Sequence, residues 1–323
     1  MIIASSVLAA IGNTPLICLR EVVRGLSAEV LVKAEFLNPS GSIKDRIALQ
    51  MIEGAEQAGR LKPGYTIVEA STGNTGAALA FVAAAKRYHM HVFSPKLVAS
   101  PERIRIIQSF GAEIELVDTE ALQRDEKLRD TSVHGAVIEV IPRTLCRDLE
   151  RSDPKVWWAR QFSNPDNVRA HQQGTGREIL EQTEGRLDAF VASVGTGGTL
   201  LGVAQALRAH DPNVQIYGVE PAASPHLLTG LDNIPIVPGI TDGIVVDILK
   251  MNLVNGVISV TDKEAIDMAH QLAEKEGLFC GMSSGANVLA ALQVAQKLGR
   301  GARVVTVLPD SRDRYLSLEK YTT

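Results

Sequence analysis

The chain alternates short apolar stretches of β-forming residues with stretches of helical periodicity along most of its length. The apolar stretches that read as strands are VLVKAEF, TIVEAS, HMHVFS, AEIELVD, AFVASV, QIYGVEP and RVVTVLP. Near-continuous apolar strands separated by helices are typical of a parallel sheet that is covered on both faces. We therefore predict an α/β fold with mostly parallel, doubly wound sheets.

Two domains are expected from the length of 323 residues, since a domain takes roughly 100–200 residues. The clearest helices are predicted over residues 77–88, 202–210, 266–276 and 286–298. The alternation weakens over residues 119–167, where charged clusters and prolines interrupt it. Such stretches are common where a chain crosses between domains, so this segment is the predicted crossing.

The charge and cysteine content exclude several classes of protein. The 33 Lys and Arg residues against 37 Asp and Glu residues give a net charge of −4, and no basic tract offers a surface for nucleic acid. The longest uninterrupted apolar run, residues 77–85, is about half of the roughly 20 residues that a membrane helix needs. Three widely spaced cysteines fit a reducing compartment better than a disulfide framework. We predict a cytoplasmic protein without nucleic-acid or membrane partners.

No metal site is predicted. His89 and His91 are two positions apart and would point to opposite faces of a strand, and no pair of cysteines has zinc spacing. The other histidines, His171 among them, are scattered and are interpreted as surface or packing residues. Cys280 is interpreted as a small buried core residue.

The first candidate motif is NPSGSIKDR, which ends at Arg46 and lies between a predicted strand and a predicted helix. Ser42 can cap that helix, which places Lys44 in the first helical turn. The positive end of a helix disfavours an ammonium group there, so the Lys44 amine would have a lowered pKa and greater nucleophilicity. Taken alone, the motif favours a solvated lysine in a charge cluster over a reactive one.

The second motif is STGNTG, residues 71–76, directly after a predicted strand and before an apolar helix. Its two glycines let the backbone approach a ligand, while hydroxyls, an amide and unpaired helix N–H groups lie close together. This composition indicates a site for a small anion, most naturally a carboxylate. A capped turn is the structural alternative.

The third motif is GTGGT, residues 195–199, again between a predicted strand and a helix. A glycine-rich turn at a helix N-terminus can hold a phosphate through its backbone N–H groups. No lysine follows the glycines as in a Walker loop, and Leu200 replaces the third glycine of the dinucleotide fingerprint. A tight turn without a ligand remains an alternative for this motif alone.

The fourth motif, GMSSGAN, residues 281–287, is another small-residue turn before a helix. Either Ser283 or Ser284 could be a simple helix cap. In a doubly wound sheet, the loops that leave the carboxyl ends of strands converge on one crevice. A carboxylate cradle, a phosphate cradle and an activatable lysine together suit pyridoxal 5′-phosphate joined to Lys44, with an amino acid as substrate.

The motifs NPSGSIKDR, STGNTG, GTGGT and SSGAN, in this order, resemble the cysteine synthase family, that is O-acetylserine sulfhydrylases with the related cystathionine β-synthases. These are fold type II pyridoxal-phosphate enzymes of the tryptophan-synthase-β type. The resemblance runs from Ile11 to Leu316. It implies a large cofactor-binding lobe of residues 1–35 and 156–323, a small mobile lobe of residues 36–155, and a homodimer.

The resemblance also implies cofactor contacts. Lys44 would form the Schiff base and act as the general base, and Asn74 would bind the ring hydroxyl. Ser283 would face the pyridine nitrogen, with Ser284 near enough to be the alternative. The residues that would hold the phosphate are Gly195, Thr196, Gly197, Gly198 and Thr199. The residues that would hold the substrate carboxylate are Ser71, Thr72, Thr75 and Gln161.

The implied reaction is a β-replacement in which sulfide or a thiol replaces the leaving group of an activated L-serine, O-acetylserine or O-phosphoserine, to form L-cysteine. Two segments depart from the family pattern: the stretch after Val117 and the loop of residues 239–244. They leave open another nucleophile, either homocysteine or an amine as in siderophore diaminopropionate-precursor synthases. A nicotinamide oxidoreductase is the alternative of a different class, although its fingerprint is absent.

Overall fold

The computed structural model describes residues 3–96, 99–118, 134–223, 248, 251 and 253–317, with only the backbone for residues 134–140. Ten strands in these residues form two sheets. The strands are β1 (Leu16–Cys18), β2 (Glu29–Ala34), β3 (Thr66–Ala70), β4 (His89–Pro95), β5 (Glu113–Val117), β6 (Val156–Trp158), β7 (Ala189–Ser193), β8 (Gln215–Pro221), β9 (Gly256–Val260) and β10 (Arg303–Leu308).

The larger sheet has the strand order β1-β2-β10-β7-β8-β9, and the smaller sheet has the order β5-β4-β3-β6. Only the β1–β2 pair is antiparallel among these strands, and every other pair is parallel. The predicted α/β class with mostly parallel sheets is therefore confirmed.

The helices are α1 (Lys44–Gln57), α2 (Asn74–Lys86), α3 (Pro101–Ser109), α4 (His134–Ser152), α5 (Pro165–Ala170), α6 (Arg177–Thr183), α7 (Gly198–His210), α8 (Asp262–Glu276) and α9 (Met282–Leu298). A π-helical turn, His171–Gly176, joins α5 to α6, and 3₁₀ turns cover Val7–Ala10, Glu35–Leu37 and Arg312–Tyr315. Within the described residues, no helix is both long and apolar enough to cross a membrane.

The larger sheet is covered by helices on both faces, as its continuous apolar strands predict. Along β10, Val304 packs with residues of α9, whereas the adjacent Val305 packs with residues of α7. Successive side chains of a strand point to opposite faces of the sheet, so α7 and α9 cover opposite faces. This is the doubly wound arrangement.

Four predicted helices begin three or four residues earlier than the sequence pattern suggests. The predicted starts at residues 77, 202, 266 and 286 correspond to observed starts at Asn74, Gly198, Asp262 and Met282. In α2 and α9 the early turn consists of residues from the small-residue motifs, and in α7 its first two residues, Gly198 and Thr199, do. The N–H groups of a first helical turn have no intrahelical partner, so small polar residues are tolerated there and hide the periodicity.

The segment that joins the two sheets differs from its predicted irregular form. Residues 134–152 form the continuous helix α4, with Pro142 inside it. The three-residue strand β6 pairs with β3, so residues 156–158 belong to the smaller sheet and not to the predicted large lobe. A strand this short carries too little alternation to be assigned from sequence. The other predicted lobe boundaries stay predictions.

Candidate active site

Lys44 is the first residue of α1, in the helical turn where the sequence places it. The N-cap residue of α1 is Ile43 and not Ser42, which was predicted to cap the helix. The Ser42 hydroxyl nevertheless accepts a hydrogen bond from the Lys44 backbone N–H at 3.3 Å. Burial lowers the pKa of the Lys44 amine to about 8, and the nearby Asp310 charge opposes this effect. At pH 7 roughly a tenth of the amine is therefore uncharged, far more than for an ordinary lysine.

The carboxylate loop, residues 71–76, connects β3 to α2. Ser71 Oγ accepts hydrogen bonds from the backbone N–H groups of Gly73 and Gly76, at 3.1 and 3.0 Å. The backbone carbonyl of Thr72 accepts from Arg103 Nη1 at 3.0 Å. These contacts hold the turn open at the N-terminus of α2.

Gln161 is joined to this loop by its side chain. Thr75 Oγ1 donates to Gln161 Oε1 at 2.6 Å, and Gln161 Nε2 donates to the Ala70 carbonyl at 2.8 Å. The Gln161 backbone N–H donates to the buried carboxylate of Glu69, whose pKa burial raises to about 6. The structure thus brings together Thr75 and Gln161, which the sequence assigns to one subsite.

Both the nitrogen and the oxygen of the Asn74 side-chain amide form hydrogen bonds. Its Nδ2 donates to Asp310 Oδ2 at 2.6 Å, and its Oδ1 accepts from Arg314 Nη1 at 3.0 Å. Tyr315 donates its hydroxyl proton to the same Asp310 carboxylate. Burial raises the pKa of Asp310, and the hydrogen bonds from Tyr315 and Asn74 act in the opposite direction.

Asp310 also joins the first and fourth motifs through its backbone. Its carbonyl accepts from the Gly281 N–H at 3.0 Å, and the preceding Pro309 carbonyl accepts from the Ile43 N–H at 2.8 Å. Ser42 and Asp310 form an isolated β-bridge. Sequence reasoning did not assign Asp310 to the site, because its partner Asn74 lies 236 positions away and no local pattern links them.

The phosphate loop, residues 195–199, connects β7 to α7. Gly197 has φ of +88° and, as the N-cap residue, has no side chain to cap the helix, although Thr196 Oγ1 accepts a hydrogen bond from the Gly198 N–H at 3.4 Å. A β-carbon on Gly198 would lie 1.9 Å from Asn167 Oδ1, so only glycine fits there. The first N–H groups of α7 therefore form an open cradle of positive potential, which suits a phosphate.

Both threonines of the phosphate loop contact buried side chains. Thr196 Oγ1 lies 3.1 Å from Asn167 Nδ2, and Thr199 Oγ1 lies 3.2 Å from His171 Nε2. Burial and the positive charges of Lys44 and Arg46 hold the pKa of His171 well below its ordinary value. The interpretation of His171 as a surface or packing residue is therefore incomplete, because it is fully buried and contacts the loop.

A cavity of about 250 Å³ lies between the phosphate loop and the fourth motif. Gly195 and Ser283 both line it, and the neighbouring Ser284 is fully buried. Of the two serines, only Ser283 faces the cavity in the described part of the chain. Cys280 is a buried core residue, as expected, and burial raises the pKa of its thiol to about 11.

Three observations test whether these residues fit pyridoxal phosphate. The N–H groups of the first turn of α7 have no intrahelical partner and can bind a phosphate. A β-carbon added at Gly195 would have no heavy atom of the described residues within 4 Å, apart from its chain neighbours, so there is room for a ligand beside this residue. The Lys44 amine is buried and partly uncharged, as condensation with an aldehyde requires. The residues fit the cofactor. The departing loop at residues 239–244 lies outside the described residues.

Comparison with known proteins gives consistent matches over nearly the whole chain. Residues 7–310 match the model of a family described as pyridoxal-phosphate dependent enzyme. A cysteine synthase of Staphylococcus aureus is 42% identical over 314 residues, covering 97% of this chain and 95% of the relative.

Solved structures agree with this match. The O-acetylserine sulfhydrylase isoform 3 of Entamoeba histolytica is 36% identical with a TM-score of 0.84, covering 99% of this chain and 92% of that one. An O-ureido-L-serine synthase is 34% identical with a TM-score of 0.81, covering 98% of this chain and 95% of that one.

Proposed function

Because the chain belongs to the family of pyridoxal-phosphate-dependent enzymes, we propose that it is a cysteine synthase, which replaces the leaving group of an activated L-serine with sulfide and forms L-cysteine. The observation that carries this proposal is the buried Lys44 amine at the start of α1, with a pKa of about 8. The family match is evidence against the alternative of a nicotinamide oxidoreductase.

Lys44 holds the cofactor and then moves a proton. Pyridoxal phosphate would be held on Lys44 through its aldehyde and, once the amino acid has taken the place of Lys44, would supply the electron sink that lets the α-proton and the β-substituent leave. Once the substrate has displaced it, the Lys44 amine takes the α-proton as a general base and later returns it. A pKa of about 8 suits both transfers near neutral pH.

The cofactor contacts divide between three elements. The N–H groups and threonine hydroxyls of the phosphate loop bind the phosphate. Asn74 uses one amide proton for Asp310 and has a second to donate to the ring hydroxyl. Ser283 places a hydroxyl, not a carboxylate, at the ring nitrogen. A hydroxyl does not stabilise a protonated ring, so prompt loss of the β-substituent is favoured.

The substrate carboxylate binds in the carboxylate loop, to Ser71, Thr72, Thr75 and Gln161. Gln161 also joins the two anion sites, since its backbone carbonyl accepts from Asn167 Nδ2 at 2.7 Å and Asn167 contacts the phosphate loop. A shift of the carboxylate loop on substrate binding would therefore change the hydrogen bonds of Gln161.

We propose that the small lobe moves over the substrate and that the enzyme acts in the cytosol as a homodimer. The division of strands supports the first point, because β3 to β6 form a sheet of their own. The free thiols of Cys18, Cys146 and Cys280 support a reducing compartment.

Lys44→Ala and Lys44→Arg variants test the proposed function. We expect kcat to fall by at least about 10³-fold, since the variants lose both the covalent link and the general base. Borohydride reduction of the holoenzyme followed by peptide mass spectrometry should find a pyridoxyl group on Lys44. Lys263→Ala is the matched control, because Lys263 is also in a first helical turn but is exposed and paired with Asp267. Full turnover in Lys44→Arg would refute the proposal.

The substrates are identified by product analysis. O-acetylserine, O-phosphoserine and serine are each supplied with sulfide, homocysteine or an amine nucleophile, and the amino acid formed is measured by mass spectrometry. We expect cysteine from an activated serine and sulfide. A product formed only with homocysteine or the amine would instead support the alternative β-replacements.

A further inference from the structure

Two buried side chains contact the phosphate loop from the side of the helical segment 165–176. Asn167 reaches Thr196, and His171 reaches Thr199. Both side chains are buried from solvent, so water cannot replace these hydrogen-bond partners, and losing one of the bonds costs free energy. The direction of these two hydrogen bonds decides where the threonine hydroxyl protons point.

The direction is settled for Thr196. Asn167 Nδ2 lies 2.7 Å from the Gln161 carbonyl oxygen, and a carbonyl can only accept, so this atom of Asn167 is the amide nitrogen. The same nitrogen therefore donates to Thr196 Oγ1. Because the Thr196 oxygen accepts from Asn167, its own proton is available to an acceptor in the loop.

Two directions are possible for Thr199. His171 is neutral, so one ring nitrogen donates and the other accepts. Nε2 contacts Thr199 Oγ1 at 3.2 Å, and Nδ1 contacts Thr175 Oγ1 at 3.0 Å. A proton on Nε2 makes Thr199 an acceptor, like Thr196. If the proton were on Nδ1, Nε2 would accept a hydrogen bond from the Thr199 hydroxyl, whose proton would then point towards the histidine.

We propose that His171 is a positioning residue for the cofactor phosphate: it carries its proton on Nε2 and donates to Thr199 Oγ1, so that Thr199 donates its own proton to a phosphate oxygen. This rests on the proposed function, since it requires a phosphate in the loop. A phosphate dianion only accepts hydrogen bonds, so the opposite tautomer would leave its oxygen facing the oxygen of Thr199. Thr175 then donates to Nδ1.

Binding of two cofactor forms by the full-length protein freed of cofactor separates this role from general packing. Calorimetry is run with pyridoxal 5′-phosphate and with pyridoxal, which lacks the phosphate. In His171→Phe we expect the affinity for pyridoxal phosphate to fall about tenfold to a hundredfold, the range for a hydrogen bond to a charged group. The affinity for pyridoxal should not change.

Two further variants sharpen the test. His171→Gln can still present an N–H group to Thr199 and should keep most of the affinity for pyridoxal phosphate. Thr199→Val should lose as much as His171→Phe, and the double variant should lose no more than either, because both remove one shared interaction. Thr183→Val is the control for loss of a buried threonine hydroxyl, since among the described residues the Thr183 hydroxyl donates only to carbonyls of its own helix.

The tautomer can be read without any substitution. In the holoenzyme with ¹⁵N-labelled histidine, we expect nuclear magnetic resonance to find the His171 proton on Nε2. A proton on Nδ1, an imidazolium, or equal losses for pyridoxal and pyridoxal phosphate would overturn the role of His171 while leaving the proposed function intact. Failure of the wild-type protein to bind pyridoxal phosphate would overturn the proposed function and this role with it.

Discussion

The carboxylate loop and the phosphate loop are both turns from a parallel strand into a helix, yet they are held in different ways. The carboxylate loop depends on hydrogen bonds: Ser71 bonds its own loop, and Asn74 and Thr75 bond residues far along the chain. The phosphate loop is hydrogen-bonded as well, through Thr196 and Thr199, but close packing against a fully buried side chain limits it in addition, because Gly198 lies against Asn167 with no room for a β-carbon. In the carboxylate loop, a β-carbon on Gly73 would meet only the half-buried side chain of Arg103.

The difference bears on how each loop responds to change. A steric limit is nearly all-or-none, because a packed interior cannot accommodate an added atom without displacing others. A single hydrogen bond contributes only about 1 kcal/mol net, so a loop held by several can adjust to its ligand. The phosphate loop is thus suited to a cofactor that stays bound, and the carboxylate loop to a substrate that comes and goes.

The largest effect is expected from Gly198→Ala. The added methyl group would overlap Asn167 Oδ1, so we expect a loss of about 1–3 kcal/mol in the free energy of unfolding of the apoprotein, together with loss of bound cofactor. Denaturant unfolding and cofactor absorbance measure both. Gly195→Ala is the control for the stability of the apoprotein in the same loop, since its β-carbon would meet no described heavy atom within 4 Å. Equal destabilisation by both variants would contradict a steric origin.

An intermediate effect is expected from Asp310→Asn. The amide cannot accept from all the donors that the carboxylate serves, so the apoprotein should lose about 1–1.5 kcal/mol of stability, the net contribution of one hydrogen bond. The Asp310 charge favours the Lys44 ammonium, so its removal should lower the pKa of Lys44 further below about 8.

The pH dependence of cofactor uptake by the apoprotein tests this charge effect. Only the neutral amine attacks the aldehyde, so in the wild type the rate should rise with pH and level off above about 8. In Asp310→Asn the midpoint should move to lower pH. Asp267→Asn removes an exposed carboxylate on α8 and should leave the midpoint in place. A midpoint that moves upward would show that the assigned sign is wrong.

The smallest effect is expected from Thr75→Val, which removes the hydrogen bond to Gln161 and leaves the rest of the carboxylate loop in place. Loss of one such bond, about 1 kcal/mol, corresponds to a rise of about fivefold in the KM for the activated serine. Thr75→Ser keeps the hydroxyl and should restore the wild-type value. Steady-state kinetics would contradict the comparison if the serine variant were as impaired as the valine variant.

The four motifs could be found from sequence because their chemistry is local. Lys44 at a helix start, and glycines in turns that precede helices, are visible as a short string of residues. The helix starts were displaced for the same reason, since Asn74, Gly198 and Met282 lie inside the motifs and interrupt the apolar pattern. Short strands such as β6 could not be assigned, because three residues carry almost no periodicity.

By itself the sequence determined the α/β class, predicted the lysine and the two anion-binding turns, and indicated, through the resemblance, the cofactor and the reaction. Only the tertiary structure decided which further residues contact these motifs: Asp310 at Asn74, Asn167 at Thr196, and His171 at Thr199. The physical reason is distance along the chain. Helix starts and turns depend on neighbouring residues, whereas buried hydrogen bonds join whichever polar groups the packing of the two sheets brings together.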